Sequence, residues 1–155
     1  MWGPRGIAVG SDGTVFVSDT GNKRILVYNS DGERIQSWGQ EGSKPGQLIE
    51  PVGIAVNGAG EVVVADTGNH RLQFFKPDGT FLAEWPVRGW DEFYTEPYVA
   101  TDGSDVYVTD SYNHRFARYR NGQLERVWGK GGNGVGDFNR PIGIAAAGSG
   151  VFNGP

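Results

Sequence analysis

The chain has 155 residues, the length of one domain. Its net charge of −4 argues against a phosphate backbone as main partner, because affinity for nucleic acid rests largely on Lys and Arg neutralising phosphates. It has no cysteine, which excludes disulfides, thiolate zinc sites and cysteine nucleophiles, and no run of about 18 apolar residues that would span a membrane.

The opening "MWGPRGIAV" lacks a cationic region followed by an apolar segment, so no signal peptide is read there. From Pro4, "PRGIAV" predicts a strand at 6–9. Asp12-Gly13 then turns the chain into "VFVSDTGNKRILVY" at 15–28. Asp31-Gly32 turns it again, toward Trp38 and a long connection at 39–50. The same order restarts at Pro51 with "PVGIAV", where the pattern predicts strands at 53–56, 61–65, 71–75 and 81–85. These are separated by "NGAG", "DTGN" and "KPDGT", and a second long connection follows at 86–96. A variant opens at Pro97 with "PYVATDGSDVYVTD" and continues as "VYVTDSYNHRFARY", Asn121-Gly122, Trp128 and a connection at 129–140. A fourth start, "PIGIAA" at Pro141, predicts a strand at 143–147, after which "GSGVFNGP" leaves the pattern.

Asn-Gly and Asp-Gly between apolar runs signal hairpins, because these residues tolerate the positive φ such turns need. No segment keeps a helical period. The opening prolines lie 47, 46 and 44 residues apart, a period that indicates stacked supersecondary units. Four short antiparallel strands per period make a propeller blade. The expected fold is therefore all-β: blades at 4–50, 51–96 and 97–140, and a partial fourth at 141–155. The recurring Trp38, Trp85 and Trp128 are expected to cover the outer part of each blade.

Asp66 and His70, four apart, could form a metal site or a catalytic pair. The position of His70 is Lys23 in the first copy and His114 in the third, and a metal ligand would not be exchanged for lysine. The recurring set is Asp19, Asn22 and Arg24; Asp66, Asn69 and Arg71; Asp110, Asn113 and Arg115. These read as structural turn residues, with Asp and Asn satisfying turn amides and Arg pairing with the Asp of its own or an adjacent blade. "GKGGNG" at 129–134 matches a dinucleotide fingerprint, but no helix pattern follows it. No phosphate-binding loop, nucleophile elbow or calcium-loop spacing is present, so no catalytic residue, metal or cofactor is assigned.

The long connections and the Asp-x-x-Asn turns fall on one rim, and loops on a rigid scaffold carry binding residues. The connection "PVRGWDEFYTEP" replaces glycines with Arg88, Trp90, Phe93 and Tyr94, side chains of the kind enriched in hot spots. Trp90 and Phe93 have the alternative of folding back onto the blade. Tyr112 replaces the glycine of "DTGN". Arg88, Trp90, Tyr94, Tyr112, His70, His114 and Arg5 form the expected partner-contact set. Arg5, Lys23, Arg88 and Lys130 give this rim positive charge, which Glu41, Glu50, Asp91, Glu92, Glu96 and Asp137 offset.

At "PVGIAV…VVVADTGNHRLQFF" the chain resembles the NHL repeat family, whose pattern runs P-x-G-I-A-V, V-Y-V-A-D, N-x-R-I and a Gly-rich stretch; the resemblance extends from residue 4 to about 147. It implies a propeller, typically of six blades, serving as a binding module for proteins or RNA or as a sensor domain. In one branch it implies a peptide-amidating lyase that uses metal-binding histidines, whereas this chain offers His70 and His114. Three blades cannot close a ring. The ends stop short of the repeat, so the ring would be closed by a second chain, by a longer array or by a partner. The expectation is a non-enzymatic binding or scaffold module for protein or peptide partners that homodimerises into six blades. Nucleic acid and membrane are not expected partners. The alternatives are a lyase or hydrolase at the channel mouth and an RNA-binding module. In a ring of two chains, the segment 143–147 of one would compete with 6–9 of the other.

Overall fold

The computed structural model describes residues 3–90 and 96–146. Its strands form three four-stranded sheets, each an antiparallel meander in chain order. The first blade contains β1 (Pro4–Val9), β2 (Val15–Asp19), β3 (Arg24–Tyr28) and β4 (Arg34–Trp38). The second contains β5 (Pro51–Val56), β6 (Val62–Asp66), β7 (Arg71–Phe75) and β8 (Phe81–Pro86). The third contains β9 (Val99–Asp102), β10 (Asp105–Asp110), β11 (Arg115–Arg120) and β12 (Gln123–Trp128). In the second blade the first strand begins two residues earlier than the pattern predicts, because Pro51 already pairs with Asp66.

The short turns are built by side chains. Asn29 Oδ1 accepts from the amides of Asp31 and Glu33 at 3.1 and 2.9 Å, and Asn57 Oδ1 does the same for Ala59 and Glu61 at 3.0 and 2.9 Å. Asp12 and Asp78 accept from the amides of Thr14 and Thr80. These bonds satisfy turn amides that the ladder leaves over.

Alternation along each strand divides the apolar residues between two joints. Val62, Val64 and Phe75 of the second blade meet Phe16, Ile25 and Val27 of the first in one buried cluster. Val63, Ala65, Leu72 and Phe74 meet Val106, Val108, Ala117 and Tyr119 of the third in another. Strands buried on both faces read as continuous apolar runs, as in "VVVA".

The first strands lie side by side at the axis, β1 against β5 and β5 against β9. They approach so closely that a Cβ on Gly6 would stand 2.3 Å from the Val52 carbonyl oxygen, and one on Gly53 would stand 2.5 Å from that of Pro97. At the outer edge Trp38 and Trp85 reach the next blade as well as covering their own. The Trp38 indole Nε1 donates to the Pro77 carbonyl at 3.1 Å, and the ring lies 2.5 Å from where a Gly79 Cβ would be. Trp85 lies in the same way against Gly122.

The expected strand at 143–147 is not formed over its described part: residues 141–146 take no strand structure. A ladder needs a second strand, and "GSGVFNGP" does not reproduce the apolar run and Asp that β2 and β6 supply. The start of this segment is nevertheless held in register. Ser111 Oγ donates to the Pro141 carbonyl at 2.6 Å, as Thr20 Oγ1 donates to that of Pro51 at 2.6 Å.

Candidate functional site

The rim that carries the long connections is organised by the turns between the second and third strands. Asp19 and Asp66 each lead into a single 3-10 turn, Thr20–Asn22 and Thr67–Asn69. The chain leaves each turn through a residue in the left-handed region: Lys23, His70 and His114 have φ of 49°, 55° and 56°. What this position shares across the copies is therefore a backbone conformation.

Asp66 is bound from several sides. It is fully buried and accepts from Ile49 N at 2.7 Å, Asn69 Nδ2 at 2.8 Å, Arg71 Nε at 2.8 Å and Gln73 Nε2 at 2.8 Å. Arg71 extends the network. Its Nη1 donates to Glu84 at 2.7 Å, and its Nη2 donates to the carbonyls of Lys44 and Gln47 at 3.0 and 2.9 Å. Asn69 adds a bond to the Gly42 carbonyl at 3.0 Å. The second blade thus grips the connection 39–50 that precedes it, and each Arg pairs with the Asp of its own blade. Arg24 Nε reaches Asp19 at 2.9 Å, and Arg115 Nε reaches Asp110 at 2.7 Å. Asn22 and Asn113 donate to the same carboxylates.

Gln73 was not singled out from the sequence. The signal was present, since it is a polar residue inside "RLQFF" where its counterparts in β3 and β11 are Leu26 and Ala117.

The connections 39–50 and 129–140 share one shape. Leu48 N donates to the Gln40 carbonyl and Phe138 N to the Lys130 carbonyl, each at 2.9 Å. Leu48 is buried, and Phe138 meets Phe116 edge-on at 5.7 Å. His114 Nδ1 accepts from the Arg140 amide at 3.1 Å, which ties the second of these connections to its turn.

The expected partner-contact residues are not all on the surface. Trp90 is only 2% exposed and packs in the core between the second and third blades with Val87, Leu72 and Phe74. An apolar joint outcompetes solvent for so large a ring. Arg5, on β1, pairs with Glu96 ahead of β9, spanning from the first blade to the third. Tyr94 lies outside the described residues, as do Phe93 and the Asp91-Glu92 pair. Arg88 and His70 are exposed, His114 is half-buried, and Tyr112 is 47% exposed. Asn113 Nδ2 donates to the Gly89 carbonyl at 3.2 Å, so the backbone beside Arg88 rests on the turn that bears Tyr112. A second concave surface lies between the second and third blades on the side of the short turns, lined by Phe74, Leu82, Trp85, Asn57, Ser104 and Asn121.

Among the described residues no three His, Asp or Glu side chains gather as potential metal ligands, and His70 and His114 belong to different blades. No helix among them is long and apolar enough to cross a membrane.

The NHL repeat family model matches residues 1–28 and 48–75. No curated protein sequence matches the chain. Among solved structures it is similar to a catalytically inactive virginiamycin B lyase from Staphylococcus aureus with quinupristin, at 17% identity and a TM-score of 0.61 over 79% of this chain and 40% of that one. A streptogramin B lyase aligns at 15% identity and a TM-score of 0.62, over 94% of this chain and 45% of that one. Hydrazine synthase of Kuenenia stuttgartiensis aligns at 15% identity and a TM-score of 0.64, over 90% of this chain and 38% of that one. The chain spans about two fifths of the length of these structures, and at such identities the likeness concerns the fold.

Proposed function

The chain is an NHL-repeat β-propeller segment, and from that premise we propose that it is a non-enzymatic binding and scaffold module for protein or peptide partners, completed to a ring by a second chain. The observation that carries this reading is the pairing of a rigid turn with exposed recognition side chains. Arg88 and the 47%-exposed Tyr112 project from backbone that Asp110, Asn113 and Arg115 fix in place. Tyrosine and arginine supply large contact area and multiple donors from few rotatable groups, which favours recognition on a preorganised loop.

A second reading is an enzyme of the lyase type with its site at the channel mouth. What favours it is the likeness to virginiamycin B and streptogramin B lyases.

The test is selection of a phage-displayed random peptide library on the immobilised chain. Peptides are expected to enrich and to lose binding at least about fivefold on Tyr112→Ala or Arg88→Ala, the scale of a truncated contact residue. Peptides that bind both variants unchanged but are lost on Leu82→Arg would move the site to the opposite rim. A library that fails to enrich would count against the module.

A further inference from the structure

We propose that the groove between the second and third blades, on the side of the short turns, docks a partner peptide that carries a proline beside a basic residue. The prolyl carbonyl accepts from Trp85 Nε1, and the basic side chain meets Glu61. The site lies on the rim opposite Arg88 and Tyr112, so it goes beyond the reading above and is tested apart from it. Both walls of the groove are blades with all four strands in place.

Two shortened turns open the groove. The stretch 97–110 is two residues shorter than its counterpart 51–66. Its hairpin closes tightly, with Asp105 paired to Asp102, where the second blade pairs Val62 with Val56 across a longer turn. The last turn of the third blade is one residue shorter as well. Aligned on the glycines that face the tryptophans, Arg120, Asn121 and Gly122 stand for Lys76, Asp78 and Gly79, and nothing stands for Pro77. Pro77 is the residue that completes the joint between the first two blades, since its carbonyl accepts from Trp38 Nε1 at 3.1 Å. Trp85 Nε1 has no acceptor among the described residues, and solvent reaches it. An indole N–H can only donate, so this position lacks a carbonyl. Gly122 still lies beside the ring, where a Cβ would stand 3.3 Å from Trp85. The space that remains is a cavity of about 460 Å³, large enough for a few residues and too small for a folded domain.

The lining selects the occupant. Phe74, Leu82 and Trp85 form its apolar part. A peptide that laid a backbone N–H on this surface would strand a donor, whereas proline brings none and packs its ring on aromatic faces. Among the described residues that line the groove, Glu61 is the only charged one. One of its oxygens accepts from Asn57 Nδ2 at 2.7 Å, and the other has no partner among the described residues. Arg120, beside the groove, is held by both oxygens of Asp105 and does not compete for Glu61. The charge left uncompensated is therefore negative, which favours a cationic side chain on the partner.

The experiment is an NMR titration of the full chain with the blocked peptide Ala-Ala-Lys-Pro-Ala-Ala, read at the indole and glycine N–H signals. The Trp85 indole signal, identified by its loss in Trp85→Phe, is expected to shift saturably with a midpoint below about 1 mM. The Trp38 indole, already bonded to Pro77, is expected to stay in place. Trp85→Phe keeps an aromatic ring and should weaken binding, read at Gly103 and Gly122, at least about threefold, the scale of one lost hydrogen bond. Glu61→Gln should weaken the Lys-Pro peptide at least about twofold and leave a Gln-Pro peptide unaffected, the pattern of a direct charge pair. Inserting a proline between Arg120 and Asn121 rebuilds the turn of the second blade and should abolish binding. A parent chain without a saturable shift would overturn the proposal, as would binding indifferent to both Trp85→Phe and Glu61→Gln. A peptide lost on Tyr112→Ala but kept on Trp85→Phe would reject the groove and leave the other rim standing; the reverse result sustains the groove whatever becomes of that rim.

Discussion

Gln73 donates its side-chain amide to the Asp66 carboxylate at 2.8 Å, across seven residues of sequence. The same nitrogen donates to the Gln47 carbonyl at 2.7 Å, and the amide oxygen accepts from Gly46 N at 2.9 Å. One buried side chain thus joins the turn of the second blade to the connection that precedes it. Gln73→Leu, which installs the residue of the first blade, should lower unfolding free energy by about 1–3 kcal/mol, because it strands buried polar groups. Denaturant unfolding measures the loss, and faster amide exchange at Gly46 would place it at this connection.

The tryptophan joint predicts a difference between two identical substitutions. Gly79 and Gly32 have φ of 88° and 80°, so alanine is strained at both. At Gly79 it must also enter a space 2.5 Å from Trp38, whereas at Gly32 the surrounding chain offers no obstacle. Gly79→Ala should therefore cost about 1–3 kcal/mol more than Gly32→Ala, the range for overpacking.

The left-handed residue at the end of each turn predicts a substitution order that follows backbone shape. His70, at φ 55°, should accept Asn with little change in stability. His70→Val should cost about 1–2 kcal/mol, since branching at Cβ resists this region. Thermal melts of the two variants measure the gap. A valine variant as stable as the parent would show that the turn relaxes.

Acid should weaken the fold, in part through the third blade. Asp105 is held below its ordinary carboxylate value of 3.8, chiefly by the hydrogen bond from Arg120, with the charges of Arg120 and Arg118 adding and burial opposing. A carboxyl with a depressed folded value stabilises the fold fully above the unfolded value, and the contribution is lost as pH falls through the folded one. Asp12 and Asp78 shift in the same direction through their bonds to Thr14 and Thr80. Denaturant midpoints should stay level between about pH 7 and 5 and fall below about 4, and Asp105→Asn should shrink that fall.

The sequence exposed what is local. The blades could be read because Asp-Gly and Asn-Gly turns punctuate apolar runs, and the three all-β sheets follow that punctuation. Asp66, Asn69 and Arg71 sit within one turn, so their mutual bonds belong to a motif short enough to see. Relations between blades left no comparable mark. The bond from Ile49 to Asp66, the seat of Trp38 on Gly79 and the pair between Arg5 and Glu96 join residues 17, 41 and 91 positions apart. The sequence left Trp90 between a surface anchor and a ring folded back onto the blade. Its neighbours in space are Leu72 and Phe74, and they decide its burial. The strand expected at 143–147 failed for a similar reason. "PIGIAA" has the apolar pattern of β5, but a strand is a property of a pair, and no described segment pairs with 141–146.

The bare backbones of Gly6 and Gly53 have a consequence for curvature. Each lets the narrow inner edge of one sheet come within atomic contact of the next, while the tryptophans hold the wide outer edges at the distance of an indole ring. The three sheets are therefore wedges, and the taper between a glycine at the hub and a tryptophan at the circumference sets the angle through which each turns from its neighbour. A methyl group at either hub position would push the thin ends apart and leave the thick ends where they are. The arc would flatten, and a full circle would need more sheets. Two hydrogen atoms in place of two side chains thus help fix how many blades a complete ring can hold.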